Sequence, residues 1–335
     1  MIRIAVDAMG GDNAPESTVL GAQLAVKQFK DIELTLYGNE EEIRKYLKNE
    51  ERIKIVHTDS FIDMGEHDPV TQIRKNRKSS LVLSMKSCKE GENDGIVTAG
   101  PTQAVIVGAH IIVKRIPQMS RVALAPIIPS ANGTYKILLD VGANVELRPE
   151  HLEELAIYAT VAAKVIFGKE SPRVGLLNIG TEPGKGRQVD QETYERLMGN
   201  QSINFIGNVE PKEILTADCE VLLTDGFTGN MVLKTLEGTA KGSGIILKNC
   251  IKSSLFGKIG YLFMRKNLNK YKSTLSADDV GGAMLVGVNV PVVKAHGSSD
   301  AHAFYHGIRR VRELIESNLV EKVVSLLPQK EEANE

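Results

Sequence analysis

Strand-like and helix-like segments alternate along almost all of this 335-residue chain. Residues 4–7 and 32–37 are short runs rich in aliphatic side chains, whereas residues 19–29 place apolar side chains at near-helical spacing. Repeated alternation of this kind predicts a mainly parallel sheet with helices on both faces. Because the sequence shows no internal repeat and no low-complexity linker, we expect one large α/β domain over residues 1–328 and a disordered tail, residues 329–335.

The alternation also predicts the bounds of particular helices and the pairing of two strands. A single long helix is expected over residues 69–90, and another over residues 301–327. The dipeptide Asn132-Gly133 favours a hairpin, so residues 122–128 and 136–140 are expected to pair antiparallel, at a sheet edge or a subunit contact.

Composition excludes several classes of protein. The net charge of −1 predicts no general attraction to nucleic acid. Three widely spaced cysteines, Cys88, Cys219 and Cys250, argue against a disulfide framework or a structural zinc site. The longest apolar run, residues 105–113, is too short to span a bilayer and contains His110. No signal-peptide pattern precedes the first strand, so a cytoplasmic protein is expected.

Residues 239–277 form a basic and apolar segment. They contain no Asp or Glu but eight Lys or Arg, interleaved with large apolar side chains. This pattern predicts an amphipathic helical protrusion with a break at Gly257 and Gly260. It suits a dimerisation helix pair with solvated lysines, or a contact with an acidic partner or anionic lipid. Both interpretations stay open at this point.

Four polar, glycine-bearing loops follow predicted strands, at residues 7–12, 98–104, 178–186 and 225–230. Ligands of open α/β sheets bind at the carboxyl ends of the strands, so four such loops can converge on one cleft. The last of them forms a turn before a helix that begins at about Met231, and a helix N-terminus favours an anion. The sequence therefore predicts an enzyme that handles phosphate.

Three side chains in these loops are candidates for catalysis. Asp7, at a strand end, is a candidate proton acceptor or orienting carboxylate, whereas Asp12 is expected to cap the helix after Pro15. Lys185 lies between two glycines and is a candidate phosphate or oxyanion ligand, with a solvated loop lysine as the alternative. Asp225 is either a catalytic candidate or simply a turn-forming residue.

Further strand-end residues are candidate substrate or phosphate ligands. They are Gly10, Gly11, Gly100, Thr102, Asn144, Asn178, Gly180, Thr181, Glu182, Gly226, Thr228, Gly229, Asn230 and His296.

Motifs of several other enzymes do not occur. Residues 180–185 have three residues between their glycines, which excludes a Walker A loop, and no G-x-G-x-x-G follows the first strand. G-x-S-x-G and H-E-x-x-H are also absent from the sequence. His302 and His306 are four apart on a predicted helix without a nearby ligand pattern, so surface histidines are expected and no metal site.

The motifs DAMGGD, LLDVGAN, LLNIGTEPGKG, FIGNVE, DGFTGNMVLKTLEG and HGSSD, in this order, resemble the PlsX phosphate acyltransferases from residue 4 to about residue 320. The resemblance implies an α/β/α sandwich, similar to phosphotransacetylases and isocitrate/isopropylmalate dehydrogenases, in a homodimer. It implies transfer of an acyl group from acyl carrier protein to inorganic phosphate, without a cofactor. The acyl phosphate would pass to a membrane glycerol-3-phosphate acyltransferase for phosphatidic acid synthesis.

The resemblance also implies peripheral association with the inner face of the cell membrane, through the basic segment. The side chains expected to contact lipid or carrier protein are Lys252, Leu255, Phe256, Lys258, Leu262, Phe263, Arg265 and Lys266. One loop departs from the family, which usually reads S-A-G-N-T-G-A where this chain has TAGPTQA at residues 98–104. Pro101 removes a backbone donor there, and Gln103 adds bulk in place of glycine.

The implied reaction needs no metal, nucleotide or covalent intermediate, because phosphate is already a nucleophile and a thiolate is a good leaving group. The enzyme would hold phosphate against the thioester and stabilise the oxyanion. Alternatives are a short-chain acyl-CoA phosphotransacylase, a β-decarboxylating dehydrogenase with Asp278 and Asp279 as metal ligands, and a non-catalytic lipid- or carrier-binding module.

Overall fold

Eleven strands form one sheet in the computed structural model, which describes residues 1–66, 68–275 and 281–328. The strands are β1 (Ile2–Asp7), β2 (Ile32–Gly38), β3 (Ile53–His57), β4 (Gly95–Thr98), β5 (Ala123–Pro129), β6 (Tyr135–Leu139), β7 (Arg173–Leu177), β8 (Asn204–Val209), β9 (Val221–Leu223), β10 (Ala283–Val286) and β11 (Val292–Lys294). The helices are α1 (Glu16–Gln28), α2 (Glu40–Arg44), α3 (Pro69–Lys75), α4 (Ser80–Lys89), α5 (Thr102–Gly108), α6 (Pro149–Phe167), α7 (Gln188–Gly199), α8 (Gly226–Lys252), α9 (Leu255–Leu275), α10 (Ala301–Glu316) and α11 (Leu319–Leu326).

The sheet is mainly parallel, as predicted, but its strands change direction in the middle. The order is β3-β2-β1-β4-β11-β10-β5-β6-β9-β7-β8. The first five strands are parallel to one another, and so are the last four. Between them, the pairs β11–β10, β10–β5 and β5–β6 are antiparallel. The carboxyl ends of β1, β4 and β11 therefore lie at one edge of the sheet, and those of β6, β7 and β9 at the opposite edge.

Two expected long helices are each divided in two. The helix expected over residues 69–90 is α3 and α4, because Ser79 starts a new helix by accepting a hydrogen bond from Val82 N at 3.4 Å. The helix expected over residues 301–327 is α10 and α11. Asn318 between them has φ +51°, a left-handed conformation that Asn tolerates better than most residues and that ends a helix.

The predicted hairpin is antiparallel, but it lies inside the sheet and not at an edge. Its two strands, β5 and β6, pair outward with β10 and β9. The sequence prediction missed β10 altogether, since this strand has only four residues. Gly281, Gly282 and Gly287 flank β10 with positive φ angles, so the surrounding sequence is typical of turns.

The two faces of the sheet are covered differently. On one face, α1, α6 and α10 cover a continuous core. On the other face, α4 and α5 pack over β1 and β4, and the start of α8 packs over β6 and β9. Between these helices, Ala283 of β10 and Pro126 of β5 lie opposite each other and remain partly exposed. We call this open strip, with β11 beside it, the central cleft.

The described part of the basic segment, residues 239–275, lies in two helices, α8 and α9, that pack against each other. Most of its described side chains are exposed, and Phe256 and Phe263 expose 86% and 84% of their surface. The chain turns at Ser253 and Ser254, not at Gly257 as predicted, because Ser254 Oγ accepts from Gly257 N at 2.9 Å and so begins α9. In the part of the chain that the structure describes, no helix is both long enough and apolar enough to cross a membrane.

Replacement of Gly229 on α8 should destabilise the fold. A Cβ at Gly229 would lie 2.0 Å from the carbonyl oxygen of Asp140, which is fixed at the end of β6. We expect Gly229→Ala to lower the free energy of unfolding by about 1–3 kcal/mol through overpacking. Gly242→Ala is the matched control on the same helix, since nothing lies within 4 Å of its added methyl group. It should raise stability by up to about 1 kcal/mol. Urea unfolding followed by circular dichroism measures both, and equal midpoints would contradict the expectation.

Candidate functional site

The strand-end loops form two groups, because the strands change direction. The first loop group follows β1, β4 and β11, and the second follows β6, β7 and β9. They comprise residues 7–12, 98–104 and 295–300, and residues 140–144, 178–187 and 225–230, respectively. The four glycine-bearing loops therefore leave the sheet at opposite ends, and their convergence on one cleft stays a prediction. Apolar periodicity identifies a strand but does not show which way it runs.

Asp7 is buried in the first loop group, with 1% of its surface exposed. Thr98 Oγ1 donates to Asp7 Oδ2 at 2.7 Å, and Gly100 N donates to Thr98 Oγ1 at 2.9 Å. Among the described residues, no hydrogen bond reaches Asp7 Oδ1. Burial raises the pKa of Asp7, while the nearby Ser80 and Thr98 hydroxyl groups oppose that rise. Asp7 is therefore protonated more readily than an exposed carboxyl group.

Predicted ligands Gly10, Gly11 and Gly100 lie around Asp7. A Cβ on Gly10 would lie 2.5 Å from Asp7 Oδ2 and 2.8 Å from Gly100 N. Gly11 has φ +107°, and a Cβ there would lie 3.1 Å from the carbonyl oxygen of Gly297. Glycine is thus required for the three loops of this group to approach one another.

Two helix starts in this group differ from expectation. Asp12 does not cap α1, because Pro15 is the N-cap residue and no side chain accepts from the first turn. Pro101 is the N-cap residue of α5, so its missing N–H is not one that the helix would have used. Thr102 and Gln103, in the first turn of α5, are exposed.

His296 lies at the exposed rim of the first loop group. Its Nδ1 is 2.8 Å from Ser298 Oγ and accepts from Ser298 N at 3.2 Å. Asn13 Nδ2 donates to the carbonyl oxygen of Ser298 at 3.1 Å. The ring is therefore oriented by its own turn.

The histidines of α10 are only partly as predicted. His302 is exposed, but His306 is buried, with 8% of its surface exposed. Within residues 1–66, 68–275 and 281–328, no group of three or more His, Cys, Asp or Glu could hold a metal ion. Asp278 and Asp279, the metal ligands under the dehydrogenase alternative, lie outside the described residues.

Asp140 organises the second loop group. Its carboxylate accepts from Leu124 N at 2.9 Å, from Asn144 N at 2.7 Å and Nδ2 at 2.9 Å, and from Ala143 N at 3.2 Å. Burial raises the pKa of Asp140, and these donors counteract the rise. The carbonyl oxygen of Asn144 accepts from Gly226 N at 2.9 Å. Asn144, a predicted substrate ligand, thus has a structural role in starting α8.

Asp225 is the N-cap residue of α8. Its Oδ1 accepts from Thr228 N at 2.7 Å, and its Oδ2 accepts from Arg187 Nη2 at 2.5 Å. The helix starts at Gly226, so residues 225–230 are its first turn and not a turn before Met231. The N–H groups of Gly226 and Thr228, predicted to bind phosphate, already have protein acceptors. Asn230 is exposed at the side of this turn.

The loop after β7 combines buried and exposed polar groups. Asn178 Nδ2 donates to the carbonyl oxygen of Lys185 at 3.1 Å and to Asn208 Oδ1 at 3.2 Å. Lys185 is exposed, and its Cγ would lie 3.0 Å from a Cβ on Gly180. Thr181 and Glu182 are exposed in the same loop. Asn178 therefore shapes this loop, and Lys185 is accessible to a substrate.

Sequence reasoning missed Arg187. Its Nε and Nη2 donate to Asp190 at 3.0 Å and 2.9 Å, and its Nη2 also reaches Asp225. These carboxylates raise the pKa of Arg187. Only the position of Arg187 directly after Gly186, at the end of a candidate loop, could have marked it in the sequence.

Sequence reasoning also missed Lys294, on β11. It is 9% exposed, and it lies in register with Thr98 of β4 and Ala283 of β10. Burial lowers the pKa of Lys294 to about 8, Asp12 raises it and Lys234 lowers it. A lysine inside an apolar strand was the signal in the sequence.

A groove of about 470 Å³ lies between α3, α5 and residues 120–122 and adjoins Asn144. Its lining is mainly apolar and includes Val70, Ile106 and Val122. Arg74 and Arg121 also line it. We call it the α3–α5 groove.

Comparisons with known proteins agree along nearly the whole chain. A family model described as "Fatty acid synthesis protein" matches residues 2–322. A phosphate acyltransferase from Acholeplasma laidlawii is 47% identical over 329 residues, 98% of each chain. One from Streptococcus pneumoniae is 45% identical over 321 residues, 96% of this chain and 97% of that one.

Solved structures agree in fold. A phosphotransacetylase from Streptococcus pyogenes has a TM-score of 0.62 at 18% identity, with 96% of this chain and 94% of that chain covered. A branched-chain phosphotransacylase from Enterococcus faecalis has a TM-score of 0.60 at 15% identity, with 94% and 99% covered. The predicted phosphotransacetylase-like fold is therefore confirmed.

Proposed function

Because the chain belongs to the phosphate acyltransferase (PlsX) family, we propose that it transfers a fatty acyl group from acyl carrier protein to inorganic phosphate. The products are acyl phosphate and free acyl carrier protein. The observation that carries this proposal is the 47% identity to a phosphate acyltransferase over 98% of both chains. The acyl phosphate would serve phosphatidic acid synthesis by a membrane glycerol-3-phosphate acyltransferase.

The proposed reaction is a direct displacement. A phosphate oxygen attacks the thioester carbonyl carbon, and the resulting tetrahedral oxyanion collapses as the carrier's thiolate leaves. The enzyme contributes by holding phosphate at the carbonyl and by donating hydrogen bonds to the oxyanion.

Three residues have separate roles in this proposal. Lys185 stabilises the oxyanion, which its exposure in the loop after β7 permits. Asp7 holds or relays a proton, in line with its raised pKa. Asp225 is a positioning residue, because its two oxygens accept from Thr228 and Arg187 and so fix the start of α8.

The α3–α5 groove supports a long-chain acyl donor. Its volume of about 470 Å³ is within the usual range for ligand sites, and its lining is mainly apolar. Arg74 and Arg121 add positive charge beside it, which suits an acidic carrier or its phosphopantetheine group.

The α8–α9 hairpin supports peripheral contact with an anionic membrane on its cytoplasmic face. Exposed Leu255, Phe256, Leu262 and Phe263 provide an apolar surface without any nearby carboxylate in the segment. A homodimer contact through the same hairpin is the competing proposal for this surface.

Incubation with acyl-acyl carrier protein tests the function. Free carrier thiol should appear only when inorganic phosphate is present, at a rate proportional to enzyme. Turnover of short-chain acyl-CoA in preference to the carrier substrate would favour a phosphotransacylase of small acyl groups. Release of carrier without phosphate would contradict the proposal, as would reduction of NAD(P) with a hydroxy acid.

The variant Lys185→Ala should lower the turnover number about 100- to 1,000-fold, because removal of one oxyanion donor typically has an effect of that size. Its circular dichroism and melting temperature should match the wild type, since the side chain is exposed. Lys169→Ala is the control, an exposed lysine outside both loop groups. A rate for Lys185→Ala within a few-fold of the control would exclude the oxyanion role.

Replacement of both Phe256 and Phe263 by Ser should weaken cosedimentation with vesicles that contain anionic lipid. If the hairpin contacts lipid and not the carrier, turnover of soluble acyl-acyl carrier protein should be unchanged, because both side chains are on α9, outside the loop groups. Light scattering provides the second readout. Conversion of a dimer to a monomer with vesicle binding intact would instead assign the hairpin to the subunit contact.

A further inference from the structure

We propose that Lys294 binds the phosphate substrate at the floor of the central cleft. The inference rests on the proposed function, because the anion is the substrate of that reaction. It adds to the sequence-based expectation, which placed candidate phosphate ligands in the strand-end loops and at Lys185 but did not include Lys294.

The position of Lys294 follows from the register of the sheet. Lys294 pairs with Thr98 on one side and with Ala283 on the other, and Ala283 pairs with Pro126. Side chains opposite each other in register lie on the same face. Thr98 in turn contacts Asp7 on the next strand. Lys294 therefore stands in one row between the Asp7–Thr98 pair and the partly exposed floor of the central cleft.

Lys294 is a buried cation without an ion pair in the described chain, although Asp12 is near enough to raise its pKa. Only 9% of its surface is exposed, and within the described chain no carboxylate lies within ion-pair distance of its ammonium group. Nζ donates to a neutral acceptor, the carbonyl oxygen of Ala295, at 3.0 Å. Burying an unpaired charge is costly, and an anion bound beside it would offset the cost.

The charged groups around Lys294 also favour an anion in the central cleft. Asp12, from the loop after β1, and Lys234, from α8, act on Lys294 with opposite signs. Lys234 pairs with Glu237 at 2.8 Å and is 62% exposed, so Lys294 is the buried one of the two cations. An anion in the cleft would face both lysines.

The first loop group packs closely beside Lys294, since a Cβ on Gly10 would lie 2.5 Å from Asp7 Oδ2 and 2.8 Å from Gly100 N. Any ligand that reaches this end of the cleft must therefore be small. Asp7, with its raised pKa, is protonated more readily than an ordinary carboxyl and so repels an anion less. A compact, multiply charged oxyanion such as phosphate fits these neighbours better than a bulky organic acid.

Another buried lysine shows the contrast. Lys136 on β6 is 1% exposed and donates to the carbonyl oxygen of Ala217. Asp218 and Glu220 are close enough to raise its pKa, against the lowering by burial. Lys136 pairs with Ile128 of β5 and so lies outside the row that contains Lys294, which makes it the matched control.

The experiment compares wild type, Lys294→Met and Lys136→Met. Without acyl donor, inorganic phosphate should raise the melting temperature of wild type and of Lys136→Met, because a ligand that binds the folded state stabilises it. Lys294→Met should lose this rise. Its melting temperature without phosphate should equal or exceed that of wild type, since the unpaired charge is gone. In the acyl transfer assay, its KM for phosphate should increase about 10- to 100-fold, as expected for loss of a charged hydrogen-bond donor.

The pH dependence of the KM for phosphate distinguishes a lysine that binds phosphate from one with a purely structural role. Phosphate binding needs the ammonium form, and the pKa of Lys294 without ligand is about 8. The KM for phosphate of wild type should therefore rise between pH 7 and pH 9, with a smaller rise in Lys294→Met.

Failure of this inference can be told from failure of the proposed function. If wild type turns over carrier substrate and Lys294→Met keeps both its KM for phosphate and its phosphate-dependent melting shift, Lys294 does not bind the substrate. If wild type consumes no carrier substrate, the proposed function is wrong, and the melting shifts alone decide on Lys294. Equal shifts in all three proteins, or a shift in none, would overturn the inference.

Discussion

The hydrogen bonds of the Asp140 carboxylate hold the place where the sheet changes direction. One oxygen accepts from Leu124 on β5, across the antiparallel pair, and the carboxylate also accepts from the backbone and side chain of Asn144. The carbonyl oxygen of Asn144 then holds the first residue of α8. Because a buried carboxylate is stable only when donors surround it, this turn and the start of α8 depend on each other. This junction connects the β5–β6 pair, the loop after β6 and the first turn of α8.

Helix α8 connects the two loop groups that the strand directions keep apart. It begins in the second loop group at Gly226, beside Asn144, and about two turns later it places Lys234 near Lys294 of β11. The helix thus forms one side of the central cleft while its first turn belongs to the opposite edge. Under the proposed function the two substrates are a small anion and a long acyl thioester, and α8 provides groups near both loop groups. The α3–α5 groove adjoins this same junction at Asn144.

Much of the fold was predictable because local sequence determines it. Alternating periodicity predicted the approximate positions of ten of the strands, and Asp7 lies at the end of β1, as expected. Strand direction was not predictable, since an apolar run has the same pattern either way. The sequence therefore did not show that the loops after β7 and β9 leave the sheet at the end opposite to those after β1 and β4. The role of the Asp225 turn depended on partners distant in sequence, Asn144 and Arg187. Lys294 was missed because its candidate role depends on neighbouring residues that are distant in sequence. Only the pairing of the strands brings these residues together.

Positive and negative charges are unevenly distributed over the molecule, because the exposed hairpin is strongly basic. Residues 239–277 carry eight positive and no negative side chains, and the chain has a net charge of −1, so the remainder carries a net charge of −9. The protein is nearly neutral in total but has a large electric dipole along the direction of the hairpin. Charged molecules that approach the protein are therefore met in a preferred orientation. The hairpin faces negatively charged molecules, and the sheet faces positively charged ones. Added salt should weaken this orientation over distances beyond about 8–10 Å, while contacts at closer range persist.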